Sequence, residues 1–232
     1  NFNGCFQDFD VILVSDQAET ARGGVVTGYL RDLIADVAER YPQKVIVVDS
    51  RARIELFRNV VAKPNQDEAA AASERVFGAV DFQRLRSHIG RHPLVVTQGD
   101  RGVLLVGERA EHLVPCERVP HPVDICGAGD SFAAGLALAL RVSGDFPSAI
   151  RFGNLVSSVT IMKRGTGTAA PDEILAKANA ARNCAISNSR PTNVAASGGQ
   201  PRMRRCRAEC ASSGAMRAVS RELMPLKKYL KL

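Results

Sequence analysis

The segment Asp124-Ile125-Cys126-Gly127-Ala128-Gly129-Asp130-Ser131 carries the residue types most suited to chemistry. Three small residues in a row leave backbone N–H groups free of Cβ obstruction. An apolar, small-residue stretch from Phe132 to Leu140 follows. As a helix, it points the positive end of its dipole at the same place. Such a place binds an anion. A carboxylate there, Asp130, is suited to take a proton from a hydroxyl that attacks a bound phosphate. The same four residues also read as a plain strand-to-helix turn, with Asp130 as a helix-end charge. A dinucleotide fingerprint fits poorly, because position 132, where G-x-G-x-x-G needs its last glycine, is Phe132.

Two more segments bear on the choice. In Val60-Val61-Ala62-Lys63-Pro64-Asn65-Gln66-Asp67-Glu68 an apolar strand ends at Lys63, and Pro64 stops it. Asn65 and Glu68 lie three apart at the start of an alanine-rich helix, on one face. The pair reads as a capping box. It equally suits the hydration shell of Mg²⁺, and the two readings are compatible. The second segment, Leu94 to Val106, has two apolar runs about the turn Gln98-Gly99-Asp100-Arg101-Gly102. That is a hairpin signal. Thr97 and Gly99 at the strand end are placed either to lie against nucleotide phosphates or simply to turn the chain.

The ordered set Asn65-x-x-Glu68, Thr97-x-Gly99-x-x-Gly102 and Asp124-x-x-Gly127-Ala128-Gly129-Asp130 resembles the ribokinase-like carbohydrate kinases of the phosphofructokinase-B type. The resemblance runs from about Asp10 to about Ala181. It takes in Asn154 and the loop Lys163-Arg164-Gly165-Thr166-Gly167-Thr168. Val14-Ser15-Asp16 and Lys63-Pro64-Asn65 are most similar to the heptose-phosphate kinase branch. The resemblance implies ATP-dependent transfer of a γ-phosphoryl group to a sugar or sugar-phosphate hydroxyl. It implies Asp130 as general base and Gly127, Ala128 and Gly129 as the anion hole. Asn65 and Glu68 position Mg²⁺ through water, Thr97, Gly99 and Gly102 border the phosphates, and Asn154 borders the adenine. Asp124 stands near a monovalent-cation site, with K⁺ as the candidate ion.

Three departures from the family pattern stand out. Ile125 takes a position that is usually Thr. The segment Asp16–Gly24 is longer than the corresponding turn and lacks its lysine, for which Arg22 is the available basic substitute. The family's first third, with several central strands, the lid and most sugar contacts, precedes the strand at Val11-Ile12-Leu13-Val14. The chain therefore reads as N-terminally truncated. The expected fold is a three-layer α/β/α with a mostly parallel sheet, lacking those strands and the lid. The alternative to an active kinase is a catalytically incomplete nucleotide-binding fragment that needs a separate N-terminal half. An open sheet edge also favours self-association.

The elements that must position these residues alternate as strand and helix, which argues a parallel sheet covered on both faces. Strands are expected at 10–15, 44–49, 59–63, 94–98 and 103–106. Helices are expected at 25–39, from 65 to about 77, and at 81–89, 128–142, 147–162 and 171–181. Ligands in such sheets bind beyond the carboxyl ends of the strands.

The net charge of +7 is uneven. Residues 1–183 carry 21 Lys and Arg against 22 Asp and Glu, and residues 184–232 carry 10 against 2. The body, 1–183, is therefore expected to be the nucleotide-binding part, and 184–232 a basic tail, disordered by composition or non-native. The body gives no reason for a nucleic-acid or membrane partner. Cys206 and Cys210, with no nearby His, make a poor zinc site. Arg202, Arg204, Arg205 and Arg207 read as tail charge. The scattered cysteines suit a reducing cytoplasm, and no apolar run is long enough to span a bilayer.

Overall fold

The computed structural model describes residues 6, 8–20 and 23–187. The expectations for Cys5, Arg22 and residues 188–232, including the Cys206–Cys210 pair and the arginine cluster, lie outside them.

Three parallel strands, β1 (Val11–Asp16), β2 (Val45–Ser50) and β3 (Val61–Ala62), form one sheet in that order. Val11 stands opposite Val45, and Val47 opposite Val61. A parallel bridge between Asn65 and Thr97 carries the order on to a second sheet. That sheet is the antiparallel set β4 (Leu94–Thr97), β5 (Val103–Val106) and β6 (Glu111–Val114). The expected hairpin is therefore present. β6 was not expected from the sequence. The strand expected over 59–63 shrinks to two residues for two reasons. Asn59 adopts a left-handed φ of 58°, which turns the chain before β3. Pro64 then has no N–H to continue the ladder.

The helices are α1 (Gly28–Arg40), α2 (Gln66–Phe77), α3 (Phe82–Ile89), α4 (Ala128–Ser143), α5 (Phe146–Thr160) and α6 (Pro171–Ser187). Their starts are written in the sequence. Thr27, Asp81 and Asp145 each accept an N–H from the first turn of the helix that follows. α6 runs to Ser187, past the boundary expected at 183.

Alternate strand residues divide the core in two, as a pleated sheet requires. Ile46, Val48, Ala62, Leu94 and Val96 pack with α1, α2 and α3. Val47, Val61, Val95 and Leu105 pack with α4 and α5. Each such fully buried aliphatic side chain contributes roughly 1.5–3 kcal/mol. The result is the expected three-layer α/β/α arrangement. β1 departs from the expectation of a buried strand. It pairs on one side only among the described residues, and Leu13 is 48% exposed.

The α4–α5 contact fixes where α4 begins. At Gly135 a Cβ would stand 3.0 Å from the Cα of Gly153, and at Gly153 one would stand 2.8 Å from the Phe132 ring. Two glycines thus let the helices touch backbone to backbone. Near the α4 start, the Thr160 hydroxyl donates to Ser131 Oγ at 2.9 Å.

Candidate active site

The carboxyl ends of the parallel strands and the start of α4 share one rim. Asp16, Asp49, Lys63 and Thr97 close or follow β1, β2, β3 and β4. The Thr97 N–H donates to the Pro64 carbonyl at 3.0 Å, so Thr97 lies against the Asn65–Glu68 corner. That corner is a full capping box. Asn65 Oδ1 accepts from Glu68 N, and Glu68 Oε2 accepts from Asn65 N, both at 2.8 Å. Burial pushes the Glu68 carboxyl above its usual range. The bond from Asn65 pulls it back, Asp49 pushes it further up, and Lys63 and Arg51 pull it down. Asp49, Lys63 and Glu68 are therefore electrostatic neighbours.

Gly127 caps α4 with a left-handed φ of 77°, a conformation that glycine adopts without strain. The Ala128 N–H is already spent on the Ile125 carbonyl at 3.1 Å. The N–H groups of Gly129 and Asp130 have no partner among the described residues. They are the donors that the first turn of a helix leaves open. Asp130 is exposed beside them. At Gly129 a Cβ would meet the Lys63 ammonium at 3.9 Å and nothing else within 4 Å.

Asp124 ties the cradle to the loop after α5. One oxygen accepts from Cys126 N at 2.9 Å, and the other from Gly165 N at 3.0 Å. These two bonds hold its carboxyl below the usual range. Thr166 in turn lies about 3.5 Å from where a Gly127 Cβ would stand. Ile125 puts an apolar side chain into solvent, 73% exposed, beside the cradle.

Asn65, Glu68, Thr97, Asp124 and Gly127–Asp130 thus fall along one connected rim. Gly99 and Gly102 lie in the β4–β5 turn, whose arginine, Arg101, donates to the Gln66 side chain at the start of α2. Gly102 has a packing reason of its own. A Cβ there would stand 2.3 Å from the Val114 carbonyl of β6. Asn154 lies on α5, and its buried Nδ2 has no hydrogen-bond partner among the described residues. A polar atom left so is costly unless a ligand completes it. Sequence reasoning passed over Asp49 and took Lys63 only as a strand end and part of Lys63-Pro64-Asn65; their ion pair of 2.8 Å joins the ends of β2 and β3.

A cavity of about 330 Å³ opens at the other end of the sheet, among Lys44, Asn59, His92, Leu140, Arg141 and Phe146. It lies at the amino ends of β2 and β3, away from the rim where open α/β sheets bind ligands.

The donor set fits a Mg²⁺ ion bound through water. No group of three or more His, Cys, Asp or Glu among the described residues can cage a metal. Mg²⁺ is usually held by one or two carboxylates, its own waters and substrate phosphates. No helix among the described residues is long and apolar enough to cross a membrane.

Residues 56–173 match the model of the pfkB family of carbohydrate kinases. The bifunctional protein HldE of Rhodopseudomonas palustris strain BisA53 is 32% identical over 178 residues, covering 72% of this chain and 35% of that protein. The chain thus spans about a third of the length of the curated relatives it matches. The crystal structure of ribokinase from Thermotoga maritima superposes with a TM-score of 0.60 at 23% identity, over 76% of this chain and 59% of that one. Arabidopsis thaliana ribokinase, solved with ribose and ATP, gives a TM-score of 0.58 at 16% identity, over 75% of this chain and 57% of that one. These structures share the fold, and HldE agrees with the branch expected from the sequence. With just over half of its length matched by the family model, the chain belongs to the pfkB family of carbohydrate kinases.

Proposed function

We propose that this chain carries the phosphoryl-transfer site of an ATP-dependent kinase acting on a hydroxyl of a sugar or sugar phosphate. The observation that supports this best is the start of α4. Open N–H donors at Gly129 and Asp130 lie beside the Asp130 carboxylate. In the reaction, the acceptor hydroxyl oxygen forms a bond to the γ-phosphorus. The bond from that phosphorus to the bridging oxygen breaks, and ADP leaves. The hydroxyl proton passes to Asp130. The Gly127–Gly129 backbone receives the charge on the transferring group.

Thr97, Gly99 and Gly102 border the phosphates, and the unpartnered Asn154 amide meets the adenine. Asn65 and Glu68 hold the waters of Mg²⁺, which when bound neutralises phosphate charge. Asp124 orders the loops at which K⁺ is expected. Residues 1–183 form the nucleotide-binding part, and the free thiols Cys116 and Cys126 are in keeping with a reducing cytoplasm.

The edge of β1 that has no partner strand among the described residues supports a second reading. The chain binds nucleotide but turns over only when another polypeptide segment completes the sugar side. Phosphate release from ATP onto a panel of sugars and sugar phosphates, followed by ³¹P NMR, separates the two. On an accepted sugar, Asp130→Asn is expected to lower kcat by about 10²–10⁴ while nucleotide affinity stays near that of the parent. Near-normal turnover in that variant would make Asp130 a helix-end charge. Nucleotide binding with no turnover on any acceptor selects the second reading.

A further inference from the structure

The loop between α5 and α6 folds around one side chain. Lys163, near its start, donates to the Thr168 carbonyl at 2.5 Å and to Glu173 Oε2 at 2.6 Å. The same Glu173 oxygen accepts the Ala170 N–H at 2.7 Å. The start of the loop, its end and the first turn of α6 therefore meet at one point. A Cβ on Gly167 would stand 2.7 Å from the Lys163 Cβ, so the backbone there lies directly on the lysine stem. The bond from Lys163, and after it the bond from Ala170, hold the Glu173 carboxyl below its usual range.

The other side of this loop ends at the cradle. The Gly165 N–H donates to Asp124 Oδ2 at 3.0 Å. Thr166 lies about 3.5 Å from where a Gly127 Cβ would stand. The Ile161 carbonyl accepts from the N–H groups of Val123 and Asp124. Gly127 is the residue at which the chain turns into α4, so the place of Thr166 limits how that turn is made. Contacts thus run without a break from Lys163 through Gly165 and Thr166 to Gly127. The Lys163 and Glu173 side chains are 33% and 38% exposed. An ion pair that open contributes little to overall stability. What it fixes is the conformation of one loop.

We propose that Lys163, held by Glu173, is a positioning residue for the anion cradle. It fixes the Gly165–Thr166 segment against Asp124 and Gly127, and so sets the direction of the Gly129 and Asp130 N–H groups. The inference rests on the kinase reading above and deepens it with a residue that acts on the cradle through the loop. Donors aimed in advance need no reorganisation when the anion arrives.

The test is amide NMR and calorimetric titration of the whole chain with Mg²⁺ and ADP. Lys163→Met keeps the stem under Gly167 and removes the ammonium, and Lys163→Arg keeps a cation. Lys177→Met is the control, because Lys177 ties α6 to the Ser158 carbonyl of α5 at 3.1 Å. Without nucleotide, Lys163→Met is expected to shift the amides of Gly127, Gly129 and Asp130 as well as that of Gly165. Its affinity for ADP is expected to fall about threefold to tenfold, with a melting temperature within about 2 °C of the parent. Lys163→Arg is expected to recover most of the affinity, and Lys177→Met to stay within about twofold of the parent. Unmoved amides at the α4 start, or an unchanged affinity in Lys163→Met, would overturn the positioning role and leave the kinase reading standing. An equal loss in Lys177→Met would also overturn it, by tracing the effect to the contact between α5 and α6. If Lys163→Met does not fold, Glu173→Gln, which keeps an acceptor for the Ala170 N–H, decides on the same readouts. A parent that binds no ADP would overturn the kinase reading, and the amides of the free chain would then decide the positioning role alone.

Discussion

Two acid–base pairs, one buried and one partly buried, lie near the ends of neighbouring strands of the same sheet, and they are finished differently. At the end of β1, Asp16 Oδ1 meets Arg53 Nη2 at 2.5 Å, while Asp16 Oδ2 accepts from Arg53 Nε and from Ser50 Oγ. The guanidinium also donates to the carbonyls of Thr20 and Gly23. Both partners are nearly dry, and the donors are spent inside the chain. Near the end of β2, Asp49 meets Lys63 at 2.8 Å, and the ammonium lies 3.9 Å from where a Gly129 Cβ would stand. The first pair is saturated and holds the backbone at Thr20 and Gly23. The second has one carboxylate partner among the described residues and adjoins the start of α4. Two neighbouring ion pairs are thus completed to different extents.

The comparison breaks most readily at the saturated pair. Asp16→Ala leaves the Arg53 guanidinium buried without its carboxylate, a change worth about 3–5 kcal/mol. The urea midpoint should fall accordingly. A loss below about 1 kcal/mol would remove the distinction, because Arg53 would then have no dependence on its partner. Joint replacement of Asp49 and Lys63 is expected to be far milder for stability, since no uncompensated charge remains.

Glu68→Gln sharpens the picture on the metal side. The folded carboxyl is raised above its ordinary 4.5, chiefly by burial. A raised acid costs stability as pH climbs through 4.5 toward the folded value. Without metal, the variant should therefore gain on the parent in melting temperature as pH rises above that point, and the gain should vanish on acidification. The Asn65 N–H keeps an amide oxygen to donate to. With Mg²⁺ and nucleotide, the order should reverse and more Mg²⁺ should be needed. A variant that melts below the parent at neutral pH without metal would contradict the account.

The smallest effect is expected at Asp124. Its carboxyl is lowered from 3.8 by the Cys126 and Gly165 N–H bonds. Its contribution is present above that ordinary value and is lost as pH falls through the depressed one. The melting difference between the parent and Asp124→Asn should be flat near neutrality and close in acid. A difference that grows in acid would mean that the two loops are not held by the charged carboxylate.

What was legible in the sequence is what is local in it. The Asn65–Glu68 box is encoded by a spacing of three residues and appears as read; Gly127–Asp130 does turn the chain into α4, but from a loop and not from a strand. Of the apolar positions at helical spacing on α1, Ile34, Val37 and Ala38 are buried, while Leu30 and Leu33 are partly buried. The Asp49–Lys63 pair was hidden, because only parallel register brings residues 14 apart in the chain to the same rim. β6 was hidden for another reason. In Glu111-His112-Leu113-Val114 only Val114 is buried, so no alternation marks the strand. Gly102 was read from its motif as a phosphate neighbour, while its contact with the Val114 carbonyl needed that unseen strand. The exposure of Leu13 goes with an edge of β1 that has no partner strand among the described residues, which its own apolar run does not encode.

The central claim is that anions bind at the start of α4, and amide NMR of the whole chain tests it directly. On titration with Mg²⁺ and ADP, and then with Mg²⁺ and ATP, the largest shifts are expected at the amides of Gly129 and Asp130, with smaller ones at Thr97 and Gly99. Shifts gathered instead around Lys44, His92 and Arg141, or none at the α4 start with nucleotide in large excess, would contradict it.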